Sequence, residues 1–86
     1  MPTVFRFGGL RVMMYFNDHP PPHVHVRADG GEAIFDLVCP DGPPELRVNF
    51  GLPFHKVSSI HTELSAHITA LCEKWKRIHG DLKRGI

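Results

Sequence analysis

The side chains best suited to metal binding or catalysis are concentrated in residues 18–25, which read DHPPPHVH. This segment contains one carboxylate and three of the chain's seven histidines. The three consecutive prolines favour an extended backbone and remove amide donors, so the segment is stiff before tertiary contacts form. Imidazole and carboxylate groups this close together can ligate a metal, exchange protons with a substrate or bind an anion.

The His23-Val24-His25 spacing favours a shared site. Polar and apolar residues alternate from His23 onward, which is typical of a half-buried strand. On a strand both imidazoles point to one face, about 6.5–7 Å apart along the chain. In a metal site, His19, His23 and His25 would bind Zn, Ni or Fe, with carboxylate completion by Asp18 or Glu32.

Two other interpretations of the same histidines stay open. In the first, His23 and His25 form an acid–base pair oriented by Asp18 that cleaves RNA through attack of its 2′-hydroxyl without a metal. In the second, the histidines only anchor the proline loop through hydrogen bonds, and Asp18 caps the turn.

The elements that must position these residues are five strand-like runs followed by a helical segment. The runs cover residues 3–7, 10–16, 23–27, 32–37 and 45–50. Gly8-Gly9 predicts a two-residue hairpin turn that pairs Arg6 with Arg11. Asp29-Gly30 or Gly30-Gly31 predicts a second hairpin turn.

Residues 54–79 have helical periodicity. Pro53 lies near the predicted start and Gly80 just past the predicted end. The order of strands and then helix predicts an α+β fold, a five-stranded antiparallel β-meander with one long C-terminal amphipathic helix packed on one face. We expect one domain over residues 1–80 and a polar tail over residues 81–86. The apolar stripe of the helix consists of Val57, Ile60, Leu64, Ile68, Leu71, Trp75 and Ile78.

The sheet face away from the helix is predicted to be polar and rich in arginine. Strand alternation places four of the six arginines there, together with His23 and His25. Arginine suits bidentate contacts with phosphate or carboxylate, which predicts anion binding. In the fifth strand, the same alternation predicts Leu46, Val48 and Phe50 on the core face. The predicted phosphate-binding or anion-binding residues are Arg6, Arg11, Arg27 and Arg47.

Composition limits the classes of function. The 86 residues carry a formal net charge of +1, which excludes a globally basic nucleic-acid-binding protein but not a local basic surface. No apolar run approaches the length of a membrane-spanning helix, and no signal peptide is apparent, so a cytoplasmic location is expected. In that compartment Cys39 and Cys72 are expected to be thiols and not a disulfide.

Several motifs resemble one small bacterial family, the domain of unknown function numbered 4160. They are MPTVFRFGG at residues 1–9, Asp18-His19 followed by PPHVHV at 21–26, GEAIF at 31–35, Leu52-Pro53 and the helical Trp75. The resemblance extends to about residue 80. Members of that family resemble one half of small two-gene modules, in which the second gene often encodes a protein of the family of unknown function 2442. The resemblance therefore implies a toxin–antitoxin pair.

Two functional hypotheses follow from these residues and the resemblance. In the first, the chain is the toxin-like half of such a module, acts on RNA through its His/Arg face and pairs with an antitoxin-like protein. In the second, it is a non-catalytic module that binds a metal or a protein through the same HxH loop. Exposed edge strands also make a homodimer an expected state. His55, His61, His67 and His79 receive no role.

Overall fold

The computed structural model describes residues 3–7 and 9–80. The strands form one antiparallel sheet in the order β1-β2-β3-β4-β5, and two helices follow, which confirms the α+β prediction. The predicted tail over residues 81–86 lies outside the described residues. The elements are β1 Thr3–Phe7, β2 Leu10–Met14, β3 His23–Ala28, β4 Gly31–Asp36, β5 Glu45–Phe50, α1 Phe54–Ala66 and α2 Ile68–His79.

Both predicted hairpins form, the first in the predicted register and the second at one of the two predicted turn positions. In the first, Phe7 pairs with Leu10 and Arg6 with Arg11. In the second, Ala28 pairs with Gly31, so the turn is Asp29-Gly30. Both turn residues have positive φ, 48° and 81°, which is the conformation that a two-residue hairpin turn of this kind requires.

The predicted single helix is interrupted at His67, which separates α1 from α2. In a continuous helix the His67 N–H would donate to the carbonyl of Glu63. Here it donates to Leu64 O instead, at 3.1 Å, while the imidazole Nδ1 donates to Glu63 O at 2.9 Å. The side chain thus takes the acceptor that the backbone would have used, and the helical path breaks at this residue.

The core lies between the helices and one face of the sheet. Trp75 is 1% exposed, as the apolar stripe of the helix predicted. Val57 and Ile78, at the two ends of that stripe, are partly buried and pack against the core. The buried cluster comprises Leu10, Val12, Met14, Val24, Val26, Ala33, Phe35, Leu37, Leu52, Ile60, Leu64, Leu71, Cys72 and Trp75.

The prediction that Leu46, Val48 and Phe50 all face the core is wrong. The β4–β5 register shifts between Ile34, which pairs with Val48, and the next residue of β4, which pairs with Leu46. This irregularity reverses the alternation along the rest of β5. Phe50 consequently pairs with Glu32 on the open face, and its side chain is 59% exposed.

The expectation of two thiols is also wrong, because Cys39 and Cys72 form a disulfide with a Cα–Cα distance of 5.7 Å. The turn-rich segment after β4 crosses to α2, which brings together cysteines 33 residues apart in sequence. The bond links the loop end of the sheet to the second helix. Disulfides persist mainly in oxidising compartments, so this bond does not favour the predicted cytoplasmic location.

Within residues 3–7 and 9–80, no helix is both long and apolar enough to cross a membrane.

Candidate metal centre

Asp18 is held in place by a turn at the end of β2. The Asp18 N–H donates to Tyr15 O at 3.1 Å, and the Tyr15 N–H donates to Asp18 Oδ2 at 2.9 Å. This reciprocal pair is the turn cap that the sequence suggested for an aspartate before the proline segment. It uses Oδ2 and leaves Oδ1 directed at the histidines of β3.

His23 occupies the first position of β3 and is buried, with an exposure of 5%. Its Nδ1 donates to Pro21 O at 2.8 Å, and its Nε2 lies 3.5 Å from Asp18 Oδ1. The ring also packs at a centroid distance of 5.3 Å against Trp75 of α2. Strand alternation predicted this side chain on the open polar face. Contact with the helix and the proline segment buries it instead.

His25 lies two residues further along β3 and is only partly buried. Its Nε2 lies 3.3 Å from Asp18 Oδ1, and its Nδ1 lies 3.6 Å from Glu32 Oε2. The Tyr15 ring meets the imidazole edge-on at 4.8 Å, and the His23 ring does so at 5.3 Å. Both histidines therefore direct Nε2 at the same carboxylate oxygen.

The three side chains form a compact set of metal-ligating atoms. One ligand atom each from Asp18, His23 and His25 can be chosen so that all three lie within 4.8 Å of one another. Both Nδ1 atoms face an oxygen on the other side of the ring, a carbonyl in one case and a carboxylate in the other. Metal-binding histidines are usually oriented in this way, because an outer acceptor fixes which nitrogen faces the ion.

The predicted ligand His19 does not belong to this group. It is exposed and lines a depression beside the cluster, whose other lining residues include Asp18, His23 and Arg47. Of the two carboxylates considered for completing the metal site, Asp18 is the one that groups with His23 and His25. The depression gives the cluster an opening to solvent.

His79, for which the sequence predicted no role, contacts residues that hold Asp18 and His23 in place. His79, the last residue of α2, donates from Nε2 to Tyr15 O at 3.0 Å. Its ring stacks on Trp75 at 3.7 Å, and Trp75 in turn contacts His23. The C-terminal end of α2 thus holds both the Asp18 turn and the first imidazole. The long sequence separation left no signal for this contact.

The four predicted anion-binding arginines are divided by the structure. Arg6, Arg11 and Arg27 occupy matching positions on β1, β2 and β3. Arg27 Nε lies 3.6 Å from Glu32 Oε1, whose other oxygen faces His25. Arg47 lies apart from them and forms an ion pair with Asp36.

Comparison with known families adds one finding to this geometry. Residues 9–76 match the family model described as "Domain of unknown function (DUF4160)". The chain belongs to this family. The match covers the cluster, the second hairpin turn and most of α2, and it confirms the family that the histidine-proline motifs indicated. No curated protein and no solved structure matches the chain.

Proposed function

We propose that this DUF4160 protein binds one divalent transition-metal ion through Asp18, His23 and His25. The observation that carries the proposal is the convergence of two Nε2 atoms on Asp18 Oδ1, at 3.5 and 3.3 Å. The outer contacts of Nδ1 and of Oδ2 support it, because they hold each ligand in the orientation that an ion between them needs.

The same geometry gives less support to metal-free acid–base catalysis by His23 and His25. A general acid or base must come within hydrogen-bond reach of its substrate. His23 is buried and its Nδ1 is already bonded to Pro21 O. Burial restricts the access of an RNA hydroxyl to this imidazole, whereas a metal ligand needs no access beyond the ion itself.

Two imidazoles and one carboxylate suit Zn, Fe(II) or Ni. Three protein ligands leave at least one coordination position for water or another ligand, through which a bound metal acts as a Lewis acid. Glu32 lies between His25 and the charge of Arg27, so the nearest arginine is partly neutralised on the side of the site. The set of only three protein ligands and the depression lined by Asp18 and His23 support a metal site that is accessible from solvent.

The test is metal stoichiometry with a spectroscopic reporter. Purified protein is treated with chelator, loaded with Zn²⁺ and desalted, and bound zinc is measured by elemental analysis. We expect one equivalent. In parallel, Ni²⁺ is titrated against the fluorescence of Trp75, the only tryptophan, whose ring lies 5.3 Å from that of His23. Saturable quenching at one equivalent is expected.

Matched variants separate the site from adventitious histidine binding. Asp18→Asn keeps the shape of the side chain but removes the charge, and we expect it to weaken zinc binding by about 100-fold or more. His55→Ala removes an exposed imidazole of α1 and should leave stoichiometry and quenching unchanged. Absence of zinc from folded wild-type protein, or equal losses in both variants, would overturn the proposal.

The toxin-like action on RNA, the antitoxin-like protein partner, the homodimer and the cytoplasmic location stay predictions. For the homodimer, the supporting feature is that β1 and β5 form the two edges of the sheet. For action on RNA, the supporting feature is the group of arginines on β1, β2 and β3 beside the metal cluster.

A further inference from the structure

Five residues form a row across the open face of the sheet, perpendicular to the strands. Strand pairing aligns them one after another, with each residue directly opposite the next. With neighbouring strands about 4.8 Å apart, the row extends for about 19 Å. In order from β1 to β5, this arginine row is Arg6, Arg11, Arg27, Glu32 and Phe50.

Positive charge in the arginine row is poorly compensated. Arg6, Arg11 and Arg27 are exposed and are direct cross-strand neighbours, an arrangement that is destabilising for like charges. Among residues 3–7 and 9–80, Glu32 pairs with Arg27, and no carboxylate lies within ion-pair distance of Arg6 or Arg11. An anionic ligand over the row would relieve this repulsion.

Arg47 shows the contrasting case on the same face. It forms an ion pair with Asp36, so its charge is matched within the protein. Asp29, at the tip of the second hairpin, is likewise matched by Lys56 at 3.0 Å. On the strands, among residues 3–7 and 9–80, the cations without an ion-pair partner are therefore Arg6 and Arg11 of the row.

The row also borders a depression at the hairpin tips that ends at an exposed aromatic ring. Its lining includes Arg11, Arg27, Glu32 and Phe50. Phe50 is 59% exposed as a consequence of the β5 irregularity. Guanidinium groups bind phosphates bidentately, and an exposed aromatic ring provides a stacking surface for a base.

From this arrangement we infer that the arginine row binds a single-stranded nucleic acid. Its phosphodiester backbone lies over Arg6, Arg11 and Arg27, and one base stacks on Phe50. A backbone on this path passes about 7 Å from the position of His25, which is two residues from Arg27 on the same face. The inference goes beyond the proposed metal binding, because the residues that contact the nucleic acid are different.

The test is fluorescence anisotropy with labelled single-stranded oligonucleotides, one RNA and one DNA of the same sequence. Measurements are made with chelator present and again after zinc loading. With three phosphate contacts, the logarithm of the affinity should fall against the logarithm of salt concentration with a slope of about −2. Equal binding of RNA and DNA identifies the backbone as the ligand, and stronger binding of RNA adds the 2′-hydroxyl to it.

Arg11→Gln removes the central charge, and Arg77→Gln is the matched control. Arg77 is an exposed arginine of α2, on the other side of the sheet, and its change alters net charge equally. We expect Arg11→Gln to weaken binding about 10-fold and to reduce the salt slope by about 0.7, with little change in Arg77→Gln. Equal losses in the two variants would show attraction by net charge alone and would overturn the inference.

Phe50→Leu tests the stacked base and distinguishes a nucleic acid from an acidic protein. It should weaken oligonucleotide binding about 5-fold or more, because a base loses its aromatic platform. No effect of Phe50→Leu, or equally strong binding of a polyglutamate peptide, would assign the row to an acidic protein instead. If the wild-type protein binds zinc but no oligonucleotide, only this inference is refuted. If it binds the oligonucleotide but no zinc, only the proposed metal site is refuted.

Discussion

The two ends of the open sheet face differ in how their polar groups are satisfied. At the loop end, Asp18, His23 and His25 are largely buried and contact one another and backbone carbonyls. At the hairpin end, Arg6 and Arg11 are exposed and lie side by side. A compact, oriented ligand set suits a small ion, whereas a row of unmatched cations suits an extended polyanion. One sheet face thus presents two kinds of site.

The largest expected effect comes from reducing the disulfide, which should act mainly at the loop end. The Cys39–Cys72 bond spans 33 residues, for which chain-entropy estimates give about 3–4 kcal/mol of stability. We expect Cys39→Ser with Cys72→Ser to lower the free energy of unfolding by about that amount, measured by urea denaturation. An unchanged midpoint would show that the bond contributes nothing to the stability of the fold.

His79→Ala should weaken metal binding about 10-fold, because His79 holds the Asp18 turn through Tyr15 O without offering a ligand atom to the site. The readout is zinc affinity together with the Ni²⁺ quenching of Trp75. His79→Gln, which retains a donor, should recover part of the affinity. Nucleic-acid binding should not change. If Ala and Gln variants behave alike, the Tyr15 contact does not position the turn.

The smallest and most discriminating change is Glu32→Gln, because Glu32 touches both ends. Its two oxygens lie 3.6 Å from His25 Nδ1 and from Arg27 Nε. Removing its charge should weaken zinc binding about 3-fold and strengthen oligonucleotide binding about 3-fold. Calorimetry for zinc and anisotropy for the oligonucleotide measure both. Changes in the same direction would indicate a general structural effect.

Local pattern predicted most of the sheet. Positive φ is required at a two-residue turn of this kind, so Gly8-Gly9 was sufficient to predict the register of the first hairpin. For the second hairpin the sequence predicted the turn and the facing of its strands, and the structure chose Asp29-Gly30 over Gly30-Gly31. Pro53 and Gly80 marked the helical segment for the same kind of reason, since their backbone preferences are local. The β5 irregularity and the interruption at His67 escaped prediction, because each depends on contacts that alternation and periodicity do not contain.

The sequence by itself determined the elements, the family and the two histidines of β3 on which the metal proposal rests. Backbone preference and side-chain alternation act over a few residues, so a single amino-acid sequence is enough to predict strands, turns and helices from them. Only the tertiary structure decided that Asp18 and not His19 joins His23 and His25, that His79 supports them, and that Arg47 is neutralised while Arg6 and Arg11 are not. These outcomes depend on which distant groups come within a few ångströms, and chain folding alone sets those distances.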